Sequence, residues 1–155
     1  MSAAGEIAGS IDVPRPAEEV WPLIADVTAM ARLSPECRAM EWLDGATGPA
    51  VGVRFRGRNR RGPLRWQTTA TVTACEPGRR FAFRVQAGPL QVAEWAYELT
   101  PTAEGCRVRE STVDRRGRLL RWGTYPAMPD RAGINRRGIE ETLARLRAAA
   151  LGDRT

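Results

Sequence analysis

The short stretch CRVREST, residues 106–112, contains Glu110, the carboxylate that is the best candidate for acid/base chemistry or ligand binding in this sequence. Side chains alternate across a strand, so the register that exposes Arg107 and Arg109 turns Glu110 toward the interior. A carboxylate on an apolar face costs on the order of several kcal/mol in lost solvation unless it is paired or protonated. Glu110 is therefore a candidate polar anchor or general acid/base, with Tyr97 and Asn59 as hydrogen-bonding neighbours. The plainer alternative is that water or an arginine satisfies it near the strand end.

Other catalytic devices are excluded by composition, because all 24 basic residues are arginine and histidine is absent. A chain without lysine and histidine has no Schiff base, no P-loop lysine, no Ser-His or Cys-His pair and no histidine-ligated metal. Cys37, Cys75 and Cys106 are odd in number and far apart, which favours free thiols near the core over a disulfide framework or a metal site. We therefore expect neither a metal nor a cofactor. Catalytic candidates are limited to Glu110 and Tyr97, with further proton-handling groups at Asp114, Thr68 and Thr112.

The net charge of +6 raises the question of nucleic acid, but the arginines are scattered through all segments. This distribution does not form a basic stripe, so nucleic-acid binding is not expected. No run approaches the roughly 18 apolar residues of a membrane span, and the opening residues lack a signal-peptide pattern. The expected location is the cytoplasm.

Periodicity predicts the elements that position these residues. A first strand is predicted for residues 6–13. A helix of about 10 residues then begins at Pro16, with the acidic pair Glu18 and Glu19 in its first turn. A second short helix is predicted for residues 27–33. From Cys37 the period changes to two, and turn residues separate five or six further strands. A long amphipathic helix spans residues 129–151. The predicted fold is α+β: a curved six- to seven-stranded antiparallel sheet wrapped around the C-terminal helix, in one domain at 6–151 with flexible tails at 1–5 and 152–155.

Five stretches follow one another in an order and spacing that are characteristic together: IDVPRPAEEVWPLIADV, VGVRFRGRNRRGPLRW, TATVTACEPGRRFAFRV, WAYELTPTAEGCRVRES and NRRGIEETLARL. On these stretches the chain resembles the START-like (SRPBCC) superfamily, and within it the polyketide cyclase/dehydrase branch of helix-grip proteins. This resemblance implies an internal cavity between sheet and helix. Such folds include binding proteins, cyclases, hydrolases and transfer proteins, so the resemblance does not decide the activity.

The inward member of each alternating pair predicts the cavity wall. Along residues 51–59 the inward set begins at Val51, while Arg54, Arg56 and Arg58 point to solvent. The segment GRLLRWGTYPAM, residues 117–128, is unusually apolar for a connection and is a candidate lid; a helix extension or a dimer contact is the alternative. The complete predicted ligand-binding set is Phe55, Asn59, Trp66, Thr68, Phe83, Val85, Trp95, Tyr97, Glu110, Thr112, Trp122 and Tyr125.

Three function classes follow. The first is binding of a hydrophobic small molecule, lipid-like or polyketide-like, which needs only a cavity and a gate. The second is an aromatase, cyclase or dehydratase acting on a bound polyketone, which needs positioned proton donors and acceptors as well. The third is a regulatory or toxin-like protein that interacts with a partner through its arginine-rich surface.

Overall fold

The computed structural model describes residues 5–117 and 130–152. Seven strands form one antiparallel sheet in the order β1-β7-β6-β5-β4-β3-β2, so β1 pairs with the last strand at one edge and β2 lies at the other. The elements in chain order are β1 (Glu6–Val13), α1 (Ala17–Ala25), α2 (Val27–Met30), β2 (Cys37–Trp42), β3 (Arg54–Arg61), β4 (Leu64–Glu76), β5 (Arg80–Ala87), β6 (Leu90–Pro101), β7 (Cys106–Asp114) and α3 (Arg131–Ala150). The predicted curved α+β architecture is confirmed.

Helix α3 packs against β1 and β7 at one edge of the sheet. The side chain of Asp130 accepts a hydrogen bond from the backbone N–H of Gly133 and caps the helix start. Ile139, Leu143 and Leu146 are buried at spacings of three and four, as the amphipathic pattern predicts. The helix can approach β1 closely because residue 9 is glycine: a Cβ there would lie 2.9 Å from Cγ2 of Ile139.

The remaining sheet face, from β2 to β6, is free to curve away from the helix and enclose a space. Three irregularities in strand pairing add to this bending, at Cys37/Ala39 between β2 and β3, at Val72/Ala74 between β4 and β5, and at Val85/Gln86 between β5 and β6. A bulge inserts an unpaired residue and increases the local twist, so the strand changes direction there. Helices α1 and α2 follow β1 and contribute Val20, Ile24 and Val27 to the core.

Two sequence expectations are corrected. Helix α2 ends at Met30 and residues 31–33 form a turn, which shortens the predicted 27–33 helix. Val51 was expected to face inward, but β3 begins only at Arg54 and Val51 is 66% exposed in the preceding loop. In the described ranges, no helix is long and apolar enough to cross a membrane.

Candidate functional site

A cavity of about 780 Å³ lies between the concave sheet face, helix α3 and the segment that follows α2. Its size is within the range of small-molecule sites, roughly 300 to 1,000 Å³. Nine of the twelve predicted binding residues line it, from five different strands: Phe55, Asn59, Trp66, Thr68, Phe83, Val85, Trp95, Tyr97 and Glu110.

An aromatic wall forms the apolar part of this cavity. Phe55 on β3 and Phe83 on β5 meet edge to face, with ring centroids 5.1 Å apart. Phe55 is also packed against Trp42 from the edge strand β2, at 5.8 Å between centroids. Edge-to-face pairs lock ring orientation, so this wall is a preformed surface rather than an adaptable one.

Glu110 and Tyr97 form the buried polar end of the cavity. The two residues are direct cross-strand partners on β7 and β6, which places their side chains side by side on the inner face. The Tyr97 hydroxyl donates a hydrogen bond of 2.8 Å to Oε1 of Glu110. Oε2 of Glu110 is buried and has no hydrogen-bond partner within the described chain. Only 3% of Glu110 is exposed, so its carboxyl is withdrawn from bulk solvent.

The electrostatics of this pair follow from its burial. Desolvation raises the pKa of Glu110 to about 8, and the hydrogen bond from Tyr97 lowers it only in part. Burial and the adjacent Glu110 raise the pKa of Tyr97 well above its usual range. Both groups are therefore protonated at neutral pH, and the site contains a neutral carboxylic acid. Glu110 lies in the middle of β7 rather than at its end, and its side-chain partner is Tyr97 rather than an arginine.

Asn59 has a different role from the predicted one. Its Nδ2 donates to Oγ1 of Thr68 on β4 at 3.4 Å, so it pairs with its strand neighbour rather than with Glu110. Gly57, two residues earlier on the same face, has no side chain and leaves room for this contact. The pair provides a second polar point on the cavity wall.

Three predicted residues do not line the described cavity. Thr112 lies on the same face of β7 as Glu110 and is buried, with its Oγ1 lacking a hydrogen-bond partner among the described residues, but it is not part of the cavity wall. Trp122 and Tyr125, and with them nearly all of the 117–128 segment, lie outside the described residues. The lid therefore stays a prediction.

The prediction missed cavity residues on β2 and α3. Cys37 on β2 lines the cavity, and desolvation raises the pKa of its thiol to about 11, so it stays protonated. Asn135 and Thr142 on α3 are buried polar residues that also line it. They are seven residues apart, two helical turns, which places them on one face. Polar residues inside the apolar stripe of an amphipathic helix were the signal that could have identified them.

The rim of the cavity carries charges of both signs. Arg131 at the start of α3 pairs with Glu36 at 2.6 Å, and Arg116 pairs with Asp114 at 2.8 Å. The first pair joins the start of α3 to the residue before β2, and the second lies at the end of β7, whereas Arg61 at the tip of the β3–β4 hairpin is exposed. The rim thus carries charged groups, whereas the interior is mainly apolar with a few buried polar residues.

The arginines of the outer sheet face are paired with carboxylates, as their outward register predicts. Arg54 contacts Asp44 at 2.9 Å, and Arg56 contacts Glu41 at 3.3 Å. Glu94 and Glu98 likewise pair outward, with Arg115 and Arg80 respectively. These four pairs therefore interleave arginines of the outer face with carboxylates.

A seven-stranded antiparallel sheet that partners a C-terminal helix around an apolar cavity defines a helix-grip protein. A sequence model of the family described as "Polyketide cyclase / dehydrase and lipid transport" matches residues 4–150. The chain belongs to this family, and the START-like resemblance is confirmed. No curated protein matches the sequence.

Solved structures share the fold. The Polyketide_cyc-like protein Cgl2372 from Corynebacterium glutamicum is 31% identical, with 95% of this chain and 83% of that chain covered and a TM-score of 0.53. DR_A0006 from Deinococcus radiodurans is 22% identical over 95% and 98% of the two chains, with a TM-score of 0.68. TTHA0849 from Thermus thermophilus is 18% identical over 95% and 97%, with a TM-score of 0.70.

Proposed function

We propose that this protein binds a hydrophobic small molecule, lipid-like or polyketide-like, in the cavity between the sheet and α3. The observation that carries the proposal is a cavity of about 780 Å³ with an aromatic wall and a deeply buried polar end formed by Glu110 and Tyr97. Ligand sites combine an apolar lining with a few fixed polar groups in this way. Family membership supports the same function class.

Native mass spectrometry of the purified protein is the direct test. A bound apolar ligand should add a discrete mass to the protein and disappear after extraction with organic solvent. The mass would also identify the ligand class.

A pair of matched variants on β6 tests the location. Trp95 lines the cavity, whereas the adjacent Glu94 is on the outer face, paired with Arg115. Trp95→Ala should change the affinity for an apolar fluorescent probe by about fivefold or more, since aromatic contacts often contribute over ~1 kcal/mol to binding. Glu94→Ala should leave it unchanged. Equal effects from both variants would contradict binding in this cavity.

A second candidate function is catalysis on the bound ligand, as an aromatase, cyclase or dehydratase. The observation that favours it is the neutral acid of Glu110 at the buried end, since a carboxylic acid with a raised pKa can donate a proton at neutral pH. Glu110→Gln should then abolish turnover of a polyketone substrate while leaving its binding intact. The partner-protein alternative has less support, because the outer-face arginines Arg54 and Arg56 are paired within the chain.

A further inference from the structure

The unpartnered oxygen of Glu110 carries an inference about ligand chemistry that rests on, and deepens, the proposed binding function. Glu110 lines the cavity, and its Oε1 accepts a hydrogen bond from the Tyr97 hydroxyl. Its other oxygen, Oε2, is buried and has no hydrogen-bond partner among the described residues. Unsatisfied buried polar atoms are rare and costly, about 1 to 3 kcal/mol each, so this oxygen is a candidate hydrogen-bonding point for a ligand.

The contact with Tyr97 occupies Oε1 and leaves Oε2 to face other partners. A carboxylic acid accepts hydrogen bonds best at its carbonyl oxygen and donates from its hydroxyl oxygen. When the Tyr97 hydroxyl donates to Oε1, Oε1 is the carbonyl oxygen of the neutral acid and the proton lies on Oε2. The raised pKa of Glu110 agrees with this protonated form.

No cation of the described chain pairs with Glu110 and would favour the ionised form instead. Nearby titratable groups are Tyr97 on β6 and the Cys37 thiol on β2, and neither is a cation. Arg131 on α3 and Arg116 after β7 border the same cavity, and both form ion pairs with other carboxylates. An ionised Glu110 would be an uncompensated buried charge.

We propose that Oε2 of Glu110 is a hydrogen-bond donor that selects ligands with a carbonyl oxygen at their buried end. The ligand class is then a neutral apolar ketone, ester or related carbonyl compound. A hydrocarbon would leave the donor unsatisfied, and an ammonium group would present a second donor to it.

A matched pair of dyes tests this assignment. Prodan is a neutral naphthyl ketone with environment-sensitive fluorescence, and 6-propyl-2-(dimethylamino)naphthalene is the same molecule with a CH₂ group in place of the carbonyl. The wild-type protein should bind prodan about tenfold more tightly than the control dye, the equivalent of one hydrogen bond. The emission maximum of bound prodan should also lie to the red of its position in alkane solvent, as expected for a hydrogen-bonded carbonyl.

Two variants separate donation from simple packing. Glu110→Gln places an amide in the same position, with its oxygen facing Tyr97 and its NH₂ facing the ligand, and should keep prodan affinity within about threefold. The double variant Tyr97→Phe with Glu110→Leu removes both hydroxyl-bearing groups without leaving either orphaned. It should bind prodan about tenfold more weakly and the control dye no more weakly than the wild type.

The outcomes are distinguishable. If wild type and both variants bind the two dyes with equal affinity, the donor assignment is wrong while cavity binding stands. If Glu110→Gln binds prodan as weakly as the double variant, a hydrogen-bond donor at this position does not hold the ketone, and the assignment is also wrong. If neither dye binds the wild type, binding of an apolar ligand in this cavity fails as well. Should the double variant not fold, the emission maximum of prodan bound to wild type and Glu110→Gln decides the question, since an unshifted, alkane-like emission contradicts donation.

Discussion

The wild-type protein should become less stable as the pH rises, because Glu110 is buried. The Glu110→Gln variant should not show this decrease in the free energy of unfolding. The carboxyl has an ordinary pKa of 4.5 in the unfolded chain and a pKa of about 8 in the folded one, because burial disfavours its charge. Between these values the unfolded chain has released the proton and the native protein has retained it. The free energy of unfolding therefore falls with rising pH, by about 1.4 kcal/mol per pH unit.

The expected magnitude follows from this slope. Stability from this group is fully present below pH 4.5 and is lost by the time the pH passes about 8. Between roughly pH 5 and pH 8 the loss sums to about 3.5 kcal/mol, since titration is incomplete at both limits. The amide of the Glu110→Gln variant does not titrate, so the variant should lack this loss. The Cys37 thiol, with a pKa of about 11, titrates above this window.

Urea unfolding of the wild type and Glu110→Gln at about pH 5 and pH 8 provides the measurement. The quantity to compare is the difference in the free energy of unfolding between the two proteins, and how this difference changes from about pH 5 to about pH 8. Titrations elsewhere in the chain affect both proteins equally and cancel in this difference. Glu98→Gln is the control: Glu98 lies on β6, faces outward and pairs with Arg80 at 3.3 Å. That variant should lose less than about 1 kcal/mol at either pH and keep the wild-type pH dependence. A Glu110→Gln variant whose stability falls as steeply as that of the wild type would refute a neutral buried acid at this position.

The remaining predictions concern backbone contacts and the outer sheet face. Gly105→Ala should destabilise the fold by about 3 kcal/mol or more in urea unfolding, since its Cβ would lie 2.2 Å from the carbonyl oxygen of Val13. Gly48→Ala, with no atom within 4 Å of the added Cβ, should change stability by less than about 0.5 kcal/mol; similar losses in both would contradict the steric explanation. The arginines of β3 (54, 56 and 58) should support no tight DNA binding, and sub-micromolar affinity that falls steeply with salt in an electrophoretic assay would overturn this.

Within the strands, local periodicity predicted which side chains face inward, whereas it failed for Val51 in the loop before β3. Alternation along a strand depends on neighbouring residues alone, so the inward positions of Phe55, Phe83 and Glu110 followed from the printed sequence. Turn residues and the amphipathic pattern of the last helix likewise predicted the element order, and the boundaries differ by a few residues because helix ends depend on local capping.

The partners of those side chains were decided by the tertiary structure. Tyr97 donates to Glu110 because β6 and β7 pair in the register that places them opposite each other, whereas Asn59 contacts Thr68 across β3 and β4. The pairing register depends on two strands together. Alternation within one strand is compatible with several registers, because a shift by two residues keeps the same side chains on the inner face.

The docking of α3 and the curvature of the sheet are also long-range results. Gly9 permits the close approach of Ile139 on the helix to β1, and the bulges between strands bend the far part of the sheet away from it. Gly9 and Ile139 are far apart in the chain, so no local pattern encodes their contact. The sequence by itself therefore predicted the inward faces of the strands and the position of Glu110 on one of them. The tertiary structure decided the surroundings of the Glu110 carboxyl. One of its oxygens accepts a hydrogen bond from Tyr97, and the other has no partner among the described residues. Both surroundings depend on how separate strands and the helix pack together.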